Sequence, residues 1–272
     1  MPEGDTLYRH ADRLAPALCG RRVTELWLRR GDGRRFGPPR VALERYESAD
    51  GLEVSDVYAV GKHLVVELDP KALRVHLGMS GQVRLVGPQD DRPWRDDDVG
   101  VWLVAEDLAL AVLRPPVVQY GSKKDVARAL LHLGQDLLRD VDWGALAASL
   151  DEHRDRAVAD VLLDQSVAAG VGNVYKNEVL FLAGVHPART VEDVGVDGVV
   201  ALFRQAASLM QENLGPGLRS TTGDRREDER TWVHGRSGAP CRRCGAALEF
   251  LRHGALTRAT WWCPTCQPFV RD

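Results

Sequence analysis

Two CxxC pairs near the end of the chain constrain its fold more than any other feature of the sequence. CRRC at 241–244 and CPTC at 263–266 are separated by 18 residues. Each CxxC turn directs two thiolates toward one point, and the stretch between them has room for a β-hairpin, which is the zinc-ribbon pattern. Two disulfides would be the alternative use of the same residues. Four thiolates leave no open coordination position, so the spacing predicts one structural zinc ion per chain, held by Cys241, Cys244, Cys263 and Cys266.

The rest of the chain has an ordinary globular composition. Its 272 residues, 44% hydrophobic and 28% charged, predict two domains with a small appendage. No apolar run reaches 18 residues, and the N-terminus is acidic where a signal peptide would be basic and then apolar. We therefore expect a cytoplasmic protein without a membrane segment.

The net charge of −3 argues against a protein whose whole surface binds polyanions. Arginines nevertheless concentrate in residues 20–40 and 236–262, which predicts separate basic patches. The second patch surrounds the cysteines and suits contact with phosphate groups. Its arginines are Arg236, Arg242, Arg243, Arg252 and Arg258.

Hydrophobic periodicity changes along the chain and divides it into regions. Residues 3–18 repeat apolar side chains at helical spacing. Residues 22–114 hold seven short runs of period two, which predict an antiparallel sandwich or barrel. After the stretch PPVVQYGSKKD the spacing becomes helical, and residues 215–235 are polar and contain glycines, which predicts a linker or surface loop.

The stretch LLDQSVAAGVGNVYKNE predicts a helix, a tight turn and a second helix. Gly170 and Gly172 permit a close turn, and Asn173 is a good N-cap for the second helix. The N-terminus of that helix would suit a phosphate group. An ordinary helical hairpin with a capping asparagine is the alternative interpretation.

The chain opens with Met1, Pro2 and Glu3. Without Met1, Pro2 would carry a free secondary amine beside a carboxylate, which are the two parts of an amine-nucleophile catalyst. An α-amino group has a pKa of about 7.7–8.0, against about 10.4 for lysine, so a useful fraction is free base at neutral pH. A frayed terminus or a simple helix start is the alternative.

Five stretches together resemble the formamidopyrimidine-DNA glycosylase/endonuclease VIII family of DNA repair enzymes: MPEGDT, GKHLVVEL, HLGMSGQV, LLDQSVAAGVGNVYKNE and RATWWCPTCQ. These stretches span almost the whole chain and follow one another in the same order as the corresponding motifs of the family. PEGDT, TTGD and CRRCG are closer to the endonuclease VIII branch, whereas HLGMSG is closer to the formamidopyrimidine branch. The resemblance implies an α+β fold that holds DNA in a cleft. Its parts are a catalytic domain in residues 1–120, built from an N-terminal helix plus antiparallel β-sandwich, a helix–two-turns–helix domain in 121–235, and a zinc-finger β-hairpin in 236–272.

The resemblance also implies the chemistry. Pro2 would attack C1′ of a nucleotide flipped out of the duplex and form an iminium. Glu3 would protonate the sugar ring oxygen and then move protons during elimination. Because the iminium acidifies the C2′ proton, the strand would break by β-elimination and then by δ-elimination. The activity implied is that of a bifunctional DNA glycosylase and AP lyase of base excision repair.

Five further residues match family positions that contact DNA. Lys62 would contact the phosphate next to the lesion as part of the catalytic set. Asn173 and Arg258 would hold the same bent backbone, with Arg258 also assisting the second elimination, and His76 would face another phosphate. Met79 would enter the gap left by the flipped base, where an unbranched apolar chain replaces lost stacking. A core methionine is the alternative for Met79.

The implied partner is double-stranded DNA with a damaged base or abasic site, bound by a monomer in the cytoplasm and, when on DNA, at the bacterial nucleoid. The expected substrates are oxidised pyrimidines and abasic sites. Alternatives are oxidised purines, a lyase-silent protein that only binds damaged DNA, or a zinc-ribbon module fused to unrelated domains. One departure bears on lesion choice: the formamidopyrimidine branch wedges the orphaned base with an Arg-Phe pair, and LRPPVVQYGSKKD has none.

Overall fold

A computed structural model gives the architecture of the chain. It describes residues 1–29, 42–91, 94–253 and 258–269. The chain divides into two compact units, Met1–Leu131 and His132–Asp272. Of the helices that the structure describes, none has both the length and the apolar character needed to cross a membrane. The finer division predicted at residue 235 stays a prediction.

One helix and two antiparallel sheets build the first unit, which a short helix closes. In chain order its elements are α1 (Gly4–Leu18), β1 (Val23–Leu28), β2 (Glu44–Arg45), β3 (Val54–Val60), β4 (His63–Leu68), β5 (Lys71–His76), β6 (Gln82–Val86), β7 (Val99–Ala105), β8 (Leu108–Leu113), β9 (Val117–Ser122) and α2 (Lys123–Arg128). The sheets have the orders β2–β1–β7–β8–β6 and β3–β4–β5–β9. Their facing sides and α1 share one apolar core, which confirms the predicted sandwich.

Helix α1 follows the predicted periodicity. Its apolar side chains recur every three or four residues, so they fall on one face and pack on the sheet that contains β3 and β4. The four that set this period are buried: Leu7, Ala11, Leu14 and Leu18.

All seven predicted runs of period two form strands, but β9 was not predicted. The prediction placed PPVVQYG in the passage from strands to helices because two prolines usually mark a turn. In the structure Pro115 and Pro116 form the turn, and Val117 begins a strand that pairs antiparallel with β5. The prolines precede the strand, where no ladder hydrogen bond needs their nitrogen.

Short helices and a terminal hairpin build the second unit. Its elements are β10 (Gln135–Asp136), α3 (Trp143–Ser149), α4 (Val158–Val161), β11 (Ala168–Ala169), α5 (Asn173–Leu182), α6 (Val191–Val194), α7 (Val196–Glu212), β12 (Glu249–His253) and β13 (Arg258–Trp262). Strands β10 and β11 form a short parallel pair, and β12 and β13 form the predicted hairpin between the cysteine pairs. Helix α5 is buried from Asn173 to Phe181, so it is the central element of this unit.

The segment 215–235 is more than the linker or surface loop that its polarity predicted. It contains only a short 3-10 turn, Glu227–Glu229. However, Thr221 and Val233 are buried, and the Trp232 indole donates to the carbonyl of Thr221 at 3.1 Å. The segment is therefore a surface loop folded onto the unit, so the surface-loop alternative of the prediction is confirmed and the linker alternative is wrong.

Candidate active site and metal centre

Glu3 caps the start of α1. Its backbone carbonyl accepts from the amides of Thr6 and Leu7 at 2.9 and 3.2 Å, and its own amide donates to the Thr6 hydroxyl at 3.4 Å. Glu3 is fully buried, whereas the neighbouring Pro2 is partly exposed. The carboxylate thus lies at the positive end of the helix dipole, next to a residue that solvent and a ligand can reach. A helix start and an amine-nucleophile site are therefore compatible.

Lys62 lies in a two-residue hairpin turn. Val60 pairs with His63 across the turn, and Gly61 has a φ of 54°, which a glycine adopts without strain. The prediction that Lys62 opens a strand is off by one residue, because β4 begins at His63. The turn leaves the lysine partly exposed at one end of the sheet.

His76 ends β5 at the same end of that sheet. It pairs with His63 on β4, and the two ring centroids lie 4.9 Å apart. The amide of Gly78 donates to His76 Nδ1 at 3.0 Å, so the ring proton resides on Nε2. Burial, with smaller effects from the charges of Lys62 and Arg74, lowers the pKa of His76 to about 4. At neutral pH His76 is therefore an uncharged hydrogen-bond donor.

Met79 projects from the turn between β5 and β6 and is 63% exposed. This exposure contradicts the alternative of a core methionine. Gly78 has a φ of 60°, and a Cβ at Gly81 would overlap the carbonyl of Leu77. Both glycines are needed for the turn that carries Met79, because neither position has room for an ordinary side chain.

Asn173 is the first residue of α5, whose N-cap is Gly172. The prediction of Asn173 as the N-cap is therefore wrong by one position. Its side-chain nitrogen donates to the carbonyl of Ala259 at 2.8 Å, while its side-chain oxygen is buried without a hydrogen-bond partner among the described residues. Because Ala259 follows Arg258 on β13, the structure brings Asn173 next to the strand that carries Arg258.

Two further side chains of α5 bind β13. Lys176, 1% exposed, donates to the Thr260 hydroxyl at 2.8 Å. The side-chain oxygen of Asn177 accepts from the amide of Trp261 at 3.2 Å. These bonds fix the register between the helix that begins at Asn173 and the strand that begins at Arg258.

Glu178 ties the segment 215–235 to α5. It is fully buried and accepts from the amides of Trp232, Val233 and His234 at 2.7, 2.9 and 2.8 Å. The Thr221 hydroxyl is its fourth donor. Burial raises the pKa of Glu178, and the four donors oppose that rise.

Sequence reasoning missed this polar network. Lys176, Asn177 and Glu178 are consecutive, so they span about 200° of the helix circumference. A helix that is apolar elsewhere cannot turn all three toward solvent. The run KNE inside an apolar helix was the available signal, but the partners lie 43 to 84 positions away along the chain.

The four cysteines converge on one point. Their sulfurs lie within 4.8 Å of one another, with 3.9 Å between Cys241 and Cys266 and 3.4 Å between Cys244 and Cys263. A tetrahedral ion with bonds of about 2.3 Å would hold sulfurs about 3.8 Å apart. All four are free thiols, so the disulfide alternative is wrong. The cluster could hold one metal ion.

Three arginines around this cluster bind the chain itself. Arg236 donates to the carbonyl of Pro240 at 3.0 Å, and Arg242 pairs with Glu229. The Arg243 guanidinium lies 4.6 Å from the ring centroid of Phe181. Their predicted role in a basic patch for phosphate stays a prediction, because these contacts leave Arg243 exposed and the other two partly exposed.

Two models of known protein domains match successive parts of the chain. Residues 1–114 match the formamidopyrimidine-DNA glycosylase N-terminal domain, and residues 133–223 match the formamidopyrimidine-DNA glycosylase H2TH domain. The "Probable endonuclease 8 2" of Streptomyces coelicolor is 37% identical over 98% of this chain and 94% of that protein. The chain belongs to the formamidopyrimidine-DNA glycosylase family. This confirms the predicted resemblance.

Other members of the family agree with this assignment. The "DNA-(apurinic or apyrimidinic site) lyase Nei2" of Mycolicibacterium smegmatis is 35% identical, covering 98% of this chain and 99% of that one. The formamidopyrimidine-DNA glycosylase of Hahella chejuensis is 29% identical, covering 98% of each. The Lactococcus lactis formamidopyrimidine-DNA glycosylase, solved with DNA containing an abasic site, has the same fold, with a TM-score of 0.79, 22% identity and coverage of 98% and 100%.

Proposed function

We propose that this chain is a bifunctional DNA glycosylase and AP lyase of base excision repair. The observation that carries the proposal is the Pro2–Glu3 pair, with a partly exposed proline beside a buried carboxylate at the start of α1. Binding alone would not require this pair. Membership of the glycosylase family supports the same reaction, and the similarity to a protein named Nei2 lyase supports the lyase step.

Pro2 is the nucleophile once Met1 has been removed. The lone pair of its secondary amine forms the bond to C1′, and the damaged base leaves with the electrons of the glycosidic bond and takes up, in net, the proton that the amine loses. Glu3 protonates the sugar ring oxygen, which opens the ring and leaves an iminium. Loss of the C2′ proton expels the 3′ phosphate, and δ-elimination then expels the 5′ phosphate.

Lys62, His76, Asn173 and Arg258 bind the phosphates of the extruded nucleotide. Lys62 supplies a charge in an accessible turn, and His76 donates from Nε2 without a charge. Asn173 and Arg258 act together because Asn173 donates to the carbonyl of Ala259, the residue that follows Arg258 on β13. Lys62 and Arg258 also belong to the catalytic set, with Arg258 assisting the second elimination. Met79 occupies the gap in the base stack.

Zinc is the metal that best fits the cluster of Cys241, Cys244, Cys263 and Cys266. Four thiolates in tetrahedral array suit it, and they leave no position for substrate. The amides of Arg243 and Cys266 donate to the sulfurs of Cys241 and Cys263, both at 3.4 Å, as expected around thiolates. One bound zinc per chain supplies folding energy to the ribbon.

Oxidised pyrimidines and abasic sites are the proposed substrates, in the duplex DNA of the cytoplasmic nucleoid. The relatives named endonuclease 8 are 34–37% identical, above the 29–32% of those named formamidopyrimidine-DNA glycosylase. The HLGMSG turn favours oxidised purines as the second candidate. We further propose a monomer with the three parts 1–120, 121–235 and 236–272.

Trapping with borohydride tests the reaction. The protein is incubated with duplexes that carry single oxidised pyrimidines, oxidised purines or an abasic site, and reduction converts an iminium into a stable cross-link. We expect cross-linking by the wild type, and loss of base excision with retained binding in Pro2→Gly and Glu3→Gln. Binding without any cross-link in the wild type would instead favour the lyase-silent alternative.

A further inference from the structure

Lys176 is a buried cation in the first turn of α5. The residue is 1% exposed, and an ammonium group taken out of water is unstable unless other polar or charged groups replace the water. The N-terminal end of a helix carries a partial positive charge, so a further positive charge in the first turn adds to the cost. An anion bound at this end of α5 would offset both costs.

The Lys176 ammonium binds the strand that carries Arg258. It donates to the Thr260 hydroxyl at 2.8 Å and to the carbonyl of Ala259 at 3.3 Å. Because an ammonium group only donates, the Thr260 hydroxyl accepts from Lys176, and its own proton goes to the carbonyl of Arg258 at 3.3 Å. Lys176 therefore holds the backbone of Arg258 through one hydroxyl and the backbone of the next residue directly.

Asn173 lies three residues before Lys176, so their side chains are neighbours on one face of α5. Asn173 Nδ2 donates to the same Ala259 carbonyl, at 2.8 Å. The side-chain oxygen of Asn173 has no hydrogen-bond partner among the described residues, so the bond to Ala259 sets the orientation of the amide. An amide nitrogen has a second hydrogen, which can be donated to an acceptor such as a phosphate oxygen.

We propose that Lys176 is a positioning residue for the phosphate contacts of Asn173 and Arg258, and that its buried charge strengthens those contacts. This inference rests on the proposed function, in which both residues bind phosphates of the extruded nucleotide. Lys176 acts on Asn173 through the Ala259 carbonyl and on Arg258 through the Thr260 hydroxyl. Its charge acts on the phosphate through protein instead of water, so salt screens it less than the charge of a surface lysine.

The proposal separates the steps of the reaction. Pro2 and Glu3 form the iminium, so the rate of that step should not depend on Lys176 once DNA is saturating. Affinity should depend on Lys176, because a phosphate is bound less tightly when its donors are less well oriented and a nearby charge is missing. The δ-elimination should also depend on Lys176, because Arg258 is proposed to assist that step.

The test compares Lys176→Met with the wild type on a duplex that contains one abasic site. Methionine keeps an unbranched chain and removes the donor and the charge. We expect about tenfold weaker binding, which is the usual contribution of a hydrogen bond to a charged group. The ratio of δ-elimination to β-elimination products should fall roughly threefold, while iminium formation at saturating DNA, trapped with borohydride, should stay within about twofold.

Neutral phosphates separate a role of the charge from a role in folding. In a series of duplexes, one phosphate at a time is replaced by an uncharged methylphosphonate. The phosphate held by Asn173 is the one whose replacement makes Asn173→Ala bind like the wild type. At that position the wild type and Lys176→Met should bind within about twofold of each other, whereas the difference of about tenfold should persist at distant phosphates.

Lys71→Met is the matched control for the loss of one lysine charge. Lys71 begins β5, at the end of the strand opposite to His76. It therefore lies away from the candidate phosphate contacts of that sheet. Lys71→Met should bind the abasic duplex as tightly as the wild type and give the same ratio of products.

Two further variants test the contacts of Lys176 separately. Lys176→Arg keeps the charge and several donors and should bind within about threefold of the wild type. Thr260→Val keeps the side-chain shape and the charge of Lys176 but removes the hydroxyl, so the ratio of δ- to β-elimination products should fall roughly twofold. If Lys176→Met does not fold, a Thr260→Val protein with the wild-type ratio of products overturns the proposal.

Three other results would also overturn it. Lys176→Met that binds as tightly as Lys71→Met would show that DNA binding does not use the buried charge. An equal loss at every methylphosphonate position, without rescue by Lys176→Arg, would assign Lys176 to folding alone. Iminium formation that slows at saturating DNA as much as binding weakens would give Lys176 a role in the chemical step. Failure of the proposed function is distinguishable, because the wild type would then form no cross-link with the abasic duplex.

Discussion

The two units position their candidate DNA contacts by different means. In the first unit, Lys62, His76 and Met79 lie in or beside turns at one end of an apolar sandwich, and glycines without room for a Cβ fix the turn of Met79. In the second unit, Asn173 and Arg258 lie on elements joined by buried polar side chains and followed by a cysteine cluster. No single substitution removes an apolar core. A polar network, by contrast, can be broken at one side chain, and a metal ion can be removed by a chelator. The second unit should therefore lose its structure more readily than the first when a single side chain or the metal is removed.

Removing the metal should give the largest difference between the units. We expect one zinc per chain by elemental analysis. Strong chelation, or Cys263→Ser, should accelerate hydrogen exchange in residues 231–253 and 258–269, because structural zinc supplies about 10 kcal/mol or more to small ribbons. Affinity for an abasic duplex should fall at least tenfold as Arg258 and Asn173 lose their scaffold.

Exchange in β4 and β7 of the first unit should stay unchanged. Cys19→Ser, which alters a cysteine outside the cluster, is the matched control. Equal acceleration of exchange in both units would contradict the claim that the metal stabilises the second unit alone.

Glu178→Ala should be the next largest change. It leaves the buried amide of Val233 and the partly buried amides of Trp232 and His234 without an acceptor, at about 1–3 kcal/mol for a fully buried amide, so we expect a loss of about 4 kcal/mol. Hydrogen exchange should rise in α5, in residues 231–234 and in β13, but not in β4. Glu192→Ala removes an exposed carboxylate and should stay within about 0.5 kcal/mol. A Glu178→Ala protein as stable as Glu192→Ala would refute the network as a structural support.

Through its histidines, acid should destabilise the first unit more than the second. Burial lowers the pKa of His10 and His76 in the first unit, and of His234 in the second, to about 4 in each case. Each lowered pKa makes stability fall as pH drops from about 6.5 toward 4, because the unfolded chain binds protons first. At pH 5 the loss is about 2 kcal/mol per histidine. In the part of the chain that the structure describes, the first unit holds two of the three.

The pH dependence of hydrogen exchange measures this difference. The first unit should lose about 2 kcal/mol more than the second between pH 7 and pH 5. His10→Gln should remove that excess. If the stability of the first unit depends on pH as steeply in His10→Gln as in the wild type, His10 is not the source of the excess.

The smallest predicted effect concerns the tight turns of the first unit. Gly78→Ala adds a Cβ in the left-handed region and 2.7 Å from Pro116, whereas Gly51→Ala adds one at a φ of 79° with open space around it. The backbone cost of about 1 kcal/mol is common to both. The clash should add about 1–2 kcal/mol to Gly78→Ala alone. Equal denaturation midpoints would mean that Pro116 yields freely and that the turn is not rigid.

Local patterns predicted most of the fold. Helix α1 and strands β1 and β3–β8 followed from periodicity, because each has one consistently buried face. Strand β9 did not, since the prolines before it indicate a turn and its partner β5 is distant in sequence. The linker alternative for the segment 215–235 failed for a related reason: the amides that hold the segment in place donate to Glu178, a residue that no local pattern connects to it.

The candidate site divides in the same way. Pro2, Glu3 and the cysteines carry their chemistry in short motifs, so the sequence predicted them directly. The exposure of Met79 and the neutral state of His76 depend on tertiary packing, which no motif encodes. The network of Lys176, Asn177 and Glu178 needed both ends of each hydrogen bond to be known.

The central claim is that the amine of Pro2 forms the covalent bond to DNA. Reduction with borohydride on an abasic duplex, followed by nuclease and protease digestion and mass spectrometry, locates the attachment. The account predicts a deoxyribose adduct on the N-terminal peptide that begins at Pro2, with Met1 absent. An adduct on a lysine such as Lys62, with an unmodified N-terminal peptide, would contradict it.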